Sequence, residues 1–275
     1  MIKPKIYLGL LFFFYLLVHL NLLVADEVSF LVQENNTILQ KQGDVTRAFV
    51  DYSTLKIALS VIGFNEGILI DETDPQIDCD KNNEASSSWM TSIFRNSYNP
   101  RTWLRHEHGN CTYGSVWYSD WILQQLGIEK LQKYLASFQY GESESLKFSN
   151  NQRESIFLYF KNNLKISTEE QVVFLQKLLA SQLPASPRAQ EITRNNLYMD
   201  RFPNGWKLYG KCCTGPHDTF LVPHGTWFVG WIEKGERKII FAYHSYDSKN
   251  ALLPFGILAK GVVKEKLQMM IFSMK

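Results

Sequence analysis

The segment Ser53-Thr54-Leu55-Lys56 places a hydroxyl and an amine three positions apart. On a helix such residues share a face and come within hydrogen-bond reach of one another. A serine hydroxyl is a weak nucleophile until a base takes its proton, and a desolvated lysine with a lowered pKa is such a base. The first N–H groups of a helix have no partners inside it and can face a developing oxyanion. Covalent acyl transfer is therefore chemistry that this quartet can support. In isolation the pattern is common, and a helix cap followed by a solvated lysine explains most single occurrences.

The elements around the quartet decide whether it is positioned for work. Leu55, Ala58, Leu59 and Ile62 recur at helical spacing, and Ile57, Val61 and Phe64 cover the other side. The spacing predicts a helix from Ser53 that is buried nearly all round and ends by Gly67. Upstream, Val28–Val32 and Thr37–Gln42 flank the polar turn Glu34-Asn35-Asn36 and predict a hairpin. Residues 71–112 read as largely irregular. Val116–Leu126 reads as a helix closed by Gly127, and Ile128–Phe138 as another. Ser167-Thr168-Glu169-Glu170 is a capping-box pattern opening a further helix, and Ser186-Pro187 opens the next.

Three strand-like runs follow, Trp206–Lys211, Thr226–Glu233 and Arg237–Tyr243, with Gly235 in the turn between the last two. Leu258–Met270 closes the chain as an amphipathic helix. A strand hairpin first, helices in the middle, then strands and a final helix imply an α/β (α+β) sandwich. Its antiparallel sheet joins the strands from the two ends of the chain, is flanked by helices, and carries a helical lobe.

The chain has 275 residues, 45% of them hydrophobic, enough for a sizeable core, and a net charge of +2 from mixed acids and bases. No basic stripe suggests nucleic acid. Lys3 and Lys5 precede an apolar run from Ile6 to Ala25, the layout of a secretory signal peptide. His19 and Asn21 interrupt that run and favour cleavage over a retained anchor. The expected organisation is a signal peptide over 1–25 and a single domain over 26–275, exported to the periplasm or secreted, with no membrane span after cleavage. Of the four cysteines, adjacent Cys212 and Cys213 cannot pair without strain, and a Cys79–Cys111 bridge is left open. His106-Glu107-His108 lacks a third metal ligand, so no metal is expected.

Several segments beyond the quartet resemble one family. Ser53-Thr54-Leu55-Lys56-Ile57-Ala58-Leu59-Ser60, Val116-Trp117-Tyr118-Ser119, Tyr140-Gly141 and Leu164-Lys165-Ile166-Ser167 resemble stretches of the class D (oxacillinase-type) β-lactamases. Trp206-Lys207-Leu208-Tyr209-Gly210-Lys211 and Trp227-Phe228-Val229-Gly230-Trp231 do so as well, in the same order and over most of the mature chain. An Ser-x-x-Lys quartet followed about 150 residues later by a lysine on a strand is the layout of the penicillin-recognising serine enzymes. The resemblance implies a serine β-lactamase/transpeptidase-like domain in which Ser53 attacks the β-lactam carbonyl. It further implies Lys56 as general base, N-carboxylated by carbon dioxide, with the carbamate later activating the deacylating water. No other cofactor is implied. The partner is a β-lactam small molecule, and both a monomer and a homodimer remain open.

The chain departs from the family pattern at four places. The serine of the Ser-x-Val motif falls on Gly114, with Ser115 one residue on and about 100° around a helix. Ser115 and Val116 are therefore expected at the substrate. Tyr-Gly-Asn has become Tyr140-Gly141-Glu142, and the tryptophan that shields the carbamate falls on Tyr159. The strand motif reads Lys211-Cys212-Cys213-Thr214-Gly215 and admits two registers. The unbroken lead-in favours keeping Lys211 in place, with Cys212 for threonine, Cys213 for glycine, and Thr214 offering an oxyanion N–H. The other register brings Pro216, which has no N–H, to the donor position. No arginine follows Arg237, so the carboxylate-binding arginine of the family is missing near Gly256, and Lys260 lies a turn further on.

The expected function is β-lactam hydrolysis through a serine acyl-enzyme. The alternatives are a non-hydrolytic or weakly active β-lactam-binding relative, sensor-like or degenerate, and a peptidoglycan D,D-peptidase.

Overall fold

In the computed structural model the described residues are 27–78, 97–105, 116–143, 146, 155–214, 224–247 and 255–274. The first hairpin pairs β1 (Glu27–Glu34) with β2 (Thr37–Gln42), as the turn residues predict. Asn35 adopts φ 52° in the turn, the left-handed region that asparagine tolerates. From the other end of the chain come β7 (Tyr198–Arg201), β8 (Lys207–Thr214), β9 (His224–Lys234) and β10 (Arg237–Asp247). The six strands form one antiparallel sheet in the order β2-β1-β10-β9-β8-β7. The two ends of the chain therefore share a sheet because β1 pairs with β10, Leu31 opposite Ala242.

Side chains alternate across each strand, and the alternation builds two cores. Phe228 and Ile232 of β9, with Phe241 and Tyr243 of β10, join one cluster with Val263 and Leu267. Those two come from α8 (Phe255–Ser273), which covers that face. Trp227, Val229 and Trp231, with Ala242, face the other way and join a larger cluster with the remaining helices. These are α1 (Leu55–Asn65), α2 (Pro100–Arg105), α3 (Val116–Leu126), α4 (Ile128–Phe138), α5 (Ile156–Asn163), α6 (Thr168–Leu179) and α7 (Pro187–Asn196).

Helix α1 is buried along its whole length from Leu55 to Phe64, the all-round burial expected of its sequence. α3 and α4 keep the expected bounds, and Gly127 between them takes φ 80°. The capping box of α6 is complete: Ser167 Oγ accepts the Glu170 N–H at 3.1 Å, and Glu170 Oε2 accepts the Ser167 N–H at 2.7 Å.

Some elements had no strong local pattern. The 71–112 stretch, read as irregular, contains the two-residue strands β4 (Ile77–Asp78) and β5 (Ser97–Tyr98) and the helix α2. α5 was not anticipated as a helix. A small separate ladder joins β3 (Ala48–Val50) to β6 (Lys165–Ser167). Three-residue strands carry too little periodicity to be read locally; they exist because each finds the other. Among the described residues no helix is long and apolar enough to cross a membrane. The expected signal segment, the Cys79–Cys111 pair and His106-Glu107-His108 lie outside the described residues.

Candidate active site

Ser53 stands in the turn just before α1, and the Lys56 N–H donates to its carbonyl at 3.3 Å. Three strands and helices hold this turn. Strand β3 delivers the chain to Asp51, whose N–H donates to the Leu164 carbonyl at 2.8 Å. Trp227 of β9 donates its Nε1–H to the Val50 carbonyl at 2.8 Å. Tyr52 then turns the chain with φ 54°. Left-handed backbone costs a non-glycine residue about 1–2 kcal/mol. Here the Tyr52 N–H is bonded to the Lys161 carbonyl at 3.1 Å, and the ring is locked by packing: a Cβ placed on Gly225 would lie 2.8 Å from the Tyr52 hydroxyl.

The floor of the turn is a buried polar cluster. Asp51 accepts the Thr54 hydroxyl and, at 3.1 Å, the Tyr140 phenol. Gln171 of α6 donates Nε2–H to Thr54 Oγ1 at 2.7 Å and lies 3.3 Å from Asp51 Oδ1. Burial raises the Asp51 carboxyl well above the usual carboxylate range, although hydrogen bonds from Tyr140, the Leu55 N–H and Gln171 pull it down. Burial, with the Asp51 charge next, also drives the Tyr140 phenol well up. Asp51 Oδ2 and Gln171 Oε1 are both buried without a hydrogen-bond partner. Two acceptors left over in one cluster fit a carboxyl that keeps its proton.

Gly141 follows Tyr140 with φ 56°, and a Cβ there would meet the Lys165 carbonyl oxygen at 2.3 Å. The Glu142 N–H donates to that same oxygen at 2.9 Å. The Tyr140-Gly141 turn is thereby pinned to β6, which pairs with β3, which leads into Asp51 and Ser53. This is the physical use of the tyrosine-glycine pair, and the substitution at Glu142 leaves it intact.

Lys56 is the second residue of α1 and is 3% exposed. Its amine lies over two aromatic rings, Phe157 at 5.4 Å and Trp103 at 6.0 Å. Trp103 is fixed by an Nε1–H bond to Ser119 Oγ at 2.9 Å. Neither Phe157 nor Trp103 was singled out from sequence, because α2 and α5 carried no readable pattern. Tyr159, expected as the shield of Lys56, is half-buried on α5 with its ring edge-on to Phe160 at 5.6 Å. Val116 opens α3 and is half-buried, while Ser115 lies outside the described residues.

Strand β8 runs unbroken from Lys207 to Thr214, with Lys211 opposite Val229, Cys213 opposite Trp227 and Thr214 opposite Thr226. Lys211 is 4% exposed, and its Nζ lies 3.4 Å from the Cys212 carbonyl. Cys213 joins the larger core, on the side of Ser53; Cys212, one residue earlier, packs against the α8 cluster on the opposite face. The Cys213 thiol donates to the Asp51 carbonyl, its sulfur 3.9 Å from that oxygen. Burial pushes this thiol up to about 12, against the lowering influence of Lys211. Lys260, the basic residue near the missing arginine, is half-buried on α8 and acts on Asp200 of β7. Among the described residues no group of three or more His, Cys, Asp or Glu side chains could hold a metal ion.

A buried lysine three residues from a half-buried serine, with a second buried lysine on β8, is an arrangement that can support serine acyl transfer. The penicillin binding protein transpeptidase domain family matches residues 24–263. The chain is 33% identical over 212 residues to β-lactamase OXA-1 of Escherichia coli, covering 76% of this chain and 70% of that protein. Among solved structures, the class D β-lactamase OXA-427 superposes with a TM-score of 0.71 at 25% identity, covering 89% of this chain and all of the other. The C-terminal domain of the Bacillus licheniformis BlaR penicillin-receptor shares the fold, with a TM-score of 0.69 at 21% identity over 90% of this chain and 92% of the domain. The chain belongs to the class D β-lactamase family.

Proposed function

We propose that this protein hydrolyses β-lactams through a covalent acyl-enzyme on Ser53. The observation that carries the reading is the enclosure of the Lys56 amine, 3% exposed between Phe157 and Trp103, three residues from Ser53. Apolar enclosure favours the neutral form of an amine, which is the form that takes a proton or combines with carbon dioxide. In acylation the Ser53 Oγ bonds to the lactam carbonyl carbon and the ring C–N bond breaks. The hydroxyl proton leaves toward Lys56 and is returned to the ring nitrogen. Lys211, buried on β8, lies on the Cys213 face and supplies positive charge beside the developing product. Deacylation reverses the roles: a water is deprotonated and its oxygen attacks the ester carbon, which frees Ser53.

The niche also fits carboxylation of Lys56, since it holds a buried amine against apolar rings. The added group would supply an anionic oxygen base for both proton transfers. The chain would act outside the cytoplasm, delivered by the segment ending at Ala25.

The test is hydrolysis of a chromogenic cephalosporin, with and without bicarbonate, beside Ser53→Ala. Turnover that rises with bicarbonate and vanishes in the variant is the expected result. A second reading, a receptor-like protein that acylates and stalls, is favoured by the buried Cys213 side chain on the Ser53 side of β8, where the family motif has glycine. Its signature is a stable adduct on Ser53 with a penicillin and no turnover. Folded protein giving neither adduct nor turnover would refute both.

A further inference from the structure

We propose that Gln171 positions the Ser53 nucleophile for acylation, its side-chain amide fixing from α6 the two residues that bracket the serine, Asp51 and Thr54. The inference rests on Ser53 being the nucleophile, and it makes Gln171 a positioning residue that acts through its neighbours. The amide reaches both sides of the serine. Gln171 Nε2 donates to Thr54 Oγ1 at 2.7 Å and to Asp51 Oδ1 at 3.3 Å, and the Tyr140 phenol oxygen lies 3.4 Å from the same nitrogen. Thr54 donates its hydroxyl to the Asp51 carboxyl, and its N–H meets the Asp51 carbonyl at 3.3 Å. Ser53 is thus spanned by a closed ring of bonds, with Asp51 and Thr54 joined to each other and both to one nitrogen.

Thr54 stands just before α1, where a threonine hydroxyl ordinarily caps the helix. It makes no cap bond here, and its hydroxyl is turned to Asp51 and Gln171 instead. The far end of the tether is firm. In the first turn of α6 the Glu169 N–H donates to the Val45 carbonyl at 3.0 Å, and the Thr168 hydroxyl donates to the same oxygen at 3.1 Å. Thr168 also meets Ser29 Oγ of β1 at 2.6 Å. The reach of the amide is therefore set by a helix bonded to the sheet, and not by the turn it grips. Asp51, Thr54, Tyr140 and Gln171 are all fully buried, so bulk water does not stand in for a lost bond. Gln171 Oε1 has no partner, and an unmet buried acceptor destabilises a fold. A side chain that merely filled this space would be apolar. What the amide adds is its donor, the half that holds the turn.

The experiment follows Ser53 acylation by benzylpenicillin through rapid acid quench and intact-protein mass, over a range of penicillin concentrations. It compares the native chain with Gln171→Met, Gln171→Asn, Thr54→Ala and the double variant Gln171→Met/Thr54→Ala. Ser53→Ala defines adducts that form elsewhere, and thermal unfolding confirms that each variant is folded. Methionine keeps the length of the side chain and loses the donor. Asparagine keeps the amide but draws it back by one methylene, and either carries the test should the other not fold. A misplacement of about 1 Å at the reacting atoms costs about a hundredfold in rate. The Gln171 variants are therefore expected to acylate at least about tenfold more slowly at saturating penicillin, with an unchanged half-saturating concentration. In the double variant the two losses should overlap, because the amide acts through Thr54. Native acylation rates in the folded Gln171 variants overturn the positioning role while leaving Ser53 as nucleophile. A smaller labelled fraction at the native rate does so too, since Gln171 would then serve folding alone. Losses that multiply in the double variant also overturn it. Neither adduct nor hydrolysis dependent on Ser53 in the folded native chain removes the nucleophile and the role together.

Discussion

The Asp51 carboxyl and the Tyr140 phenol meet at 3.1 Å in the closed floor of the turn that carries Ser53. Both groups are fully buried, and neither reaches solvent to shed the cost of a charge. The turn before the nucleophile is thus held by a network in which the carboxyl is best left neutral. Its consequences can be measured separately from catalysis.

Asp51→Asn should flatten the dependence of stability on pH. With its carboxyl raised by burial, the folded chain holds a proton that the unfolded chain releases near pH 4. This contribution is fully present below that pH and is lost as pH rises towards the folded value. The slope is at most about 1.4 kcal/mol per pH unit for one proton. Denaturant midpoints between pH 4 and pH 8 should fall less in Asp51→Asn than in the native chain. The amide also offers a donor to the orphaned Gln171 Oε1. Identical slopes would mean that Asp51 is ionised in the folded protein.

His244 acts in the opposite direction. It is 2% exposed, stacked on Phe49 at 3.9 Å, with Nδ1 unpartnered and Arg47 nearby. Burial lowers it to about 3, so the unfolded chain takes up a proton near pH 6.5 that the folded chain refuses. Its contribution is fully present above about pH 6.5 and is lost as pH falls toward 3. His244→Phe should lose less stability than the native chain between pH 7 and pH 4, read by urea midpoints at the two values. A native-like acid slope in the variant would place the acid sensitivity elsewhere.

Phe157→Leu tests the enclosure of Lys56. Leucine keeps the apolar bulk, and swaps of this kind cost less than about 1.5 kcal/mol where the core can repack. It removes the ring 5.4 Å from the amine. The expected result is a fold that survives and a higher bicarbonate concentration for half-maximal turnover. An unchanged bicarbonate response would show that this ring does not tune the lysine.

Gly141→Ala and Gly67→Ala separate backbone strain from a clash. Both glycines take positive φ, 56° and 70°, but a Cβ on Gly67 meets nothing within 4 Å, whereas on Gly141 it meets the Lys165 carbonyl at 2.3 Å. Gly67→Ala should cost about 1 kcal/mol, the price of the left-handed backbone. Gly141→Ala should cost about 2–4 kcal/mol, because overpacking adds to the strain. It should also lower turnover, since β6 and β3 carry the clash to Ser53. Equal losses in thermal unfolding would remove the proposed coupling.

Much of the architecture was legible because its causes are local. The turn at Asn35, the capping box of Ser167 and Glu170, the glycine between α3 and α4, and the all-round apolar surface of α1 each depend on residues a few positions apart. The Ser53–Lys56 pair was legible for the same reason, because the two stand three residues apart. The assignment of partners to Lys56 was not. Phe157 and Trp103 reach it from α5 and α2, two helices with no clear periodicity of their own.

What the amino-acid order determined by itself are the long strands, most of the helices and the spacing of Ser53 and Lys56, since hydrogen bonding and apolar spacing within a segment need no distant partner. The two cysteines of β8 mark the limit of such reading. They are neighbours in sequence, and either can be aligned with a substrate contact. Antiparallel pairing with β9 put Cys213 toward Ser53 and Cys212 toward α8. The two-residue alternation of a strand sends adjacent side chains to opposite faces. Which face meets the nucleophile is settled only when the sheet has formed and α8 has covered one side of it.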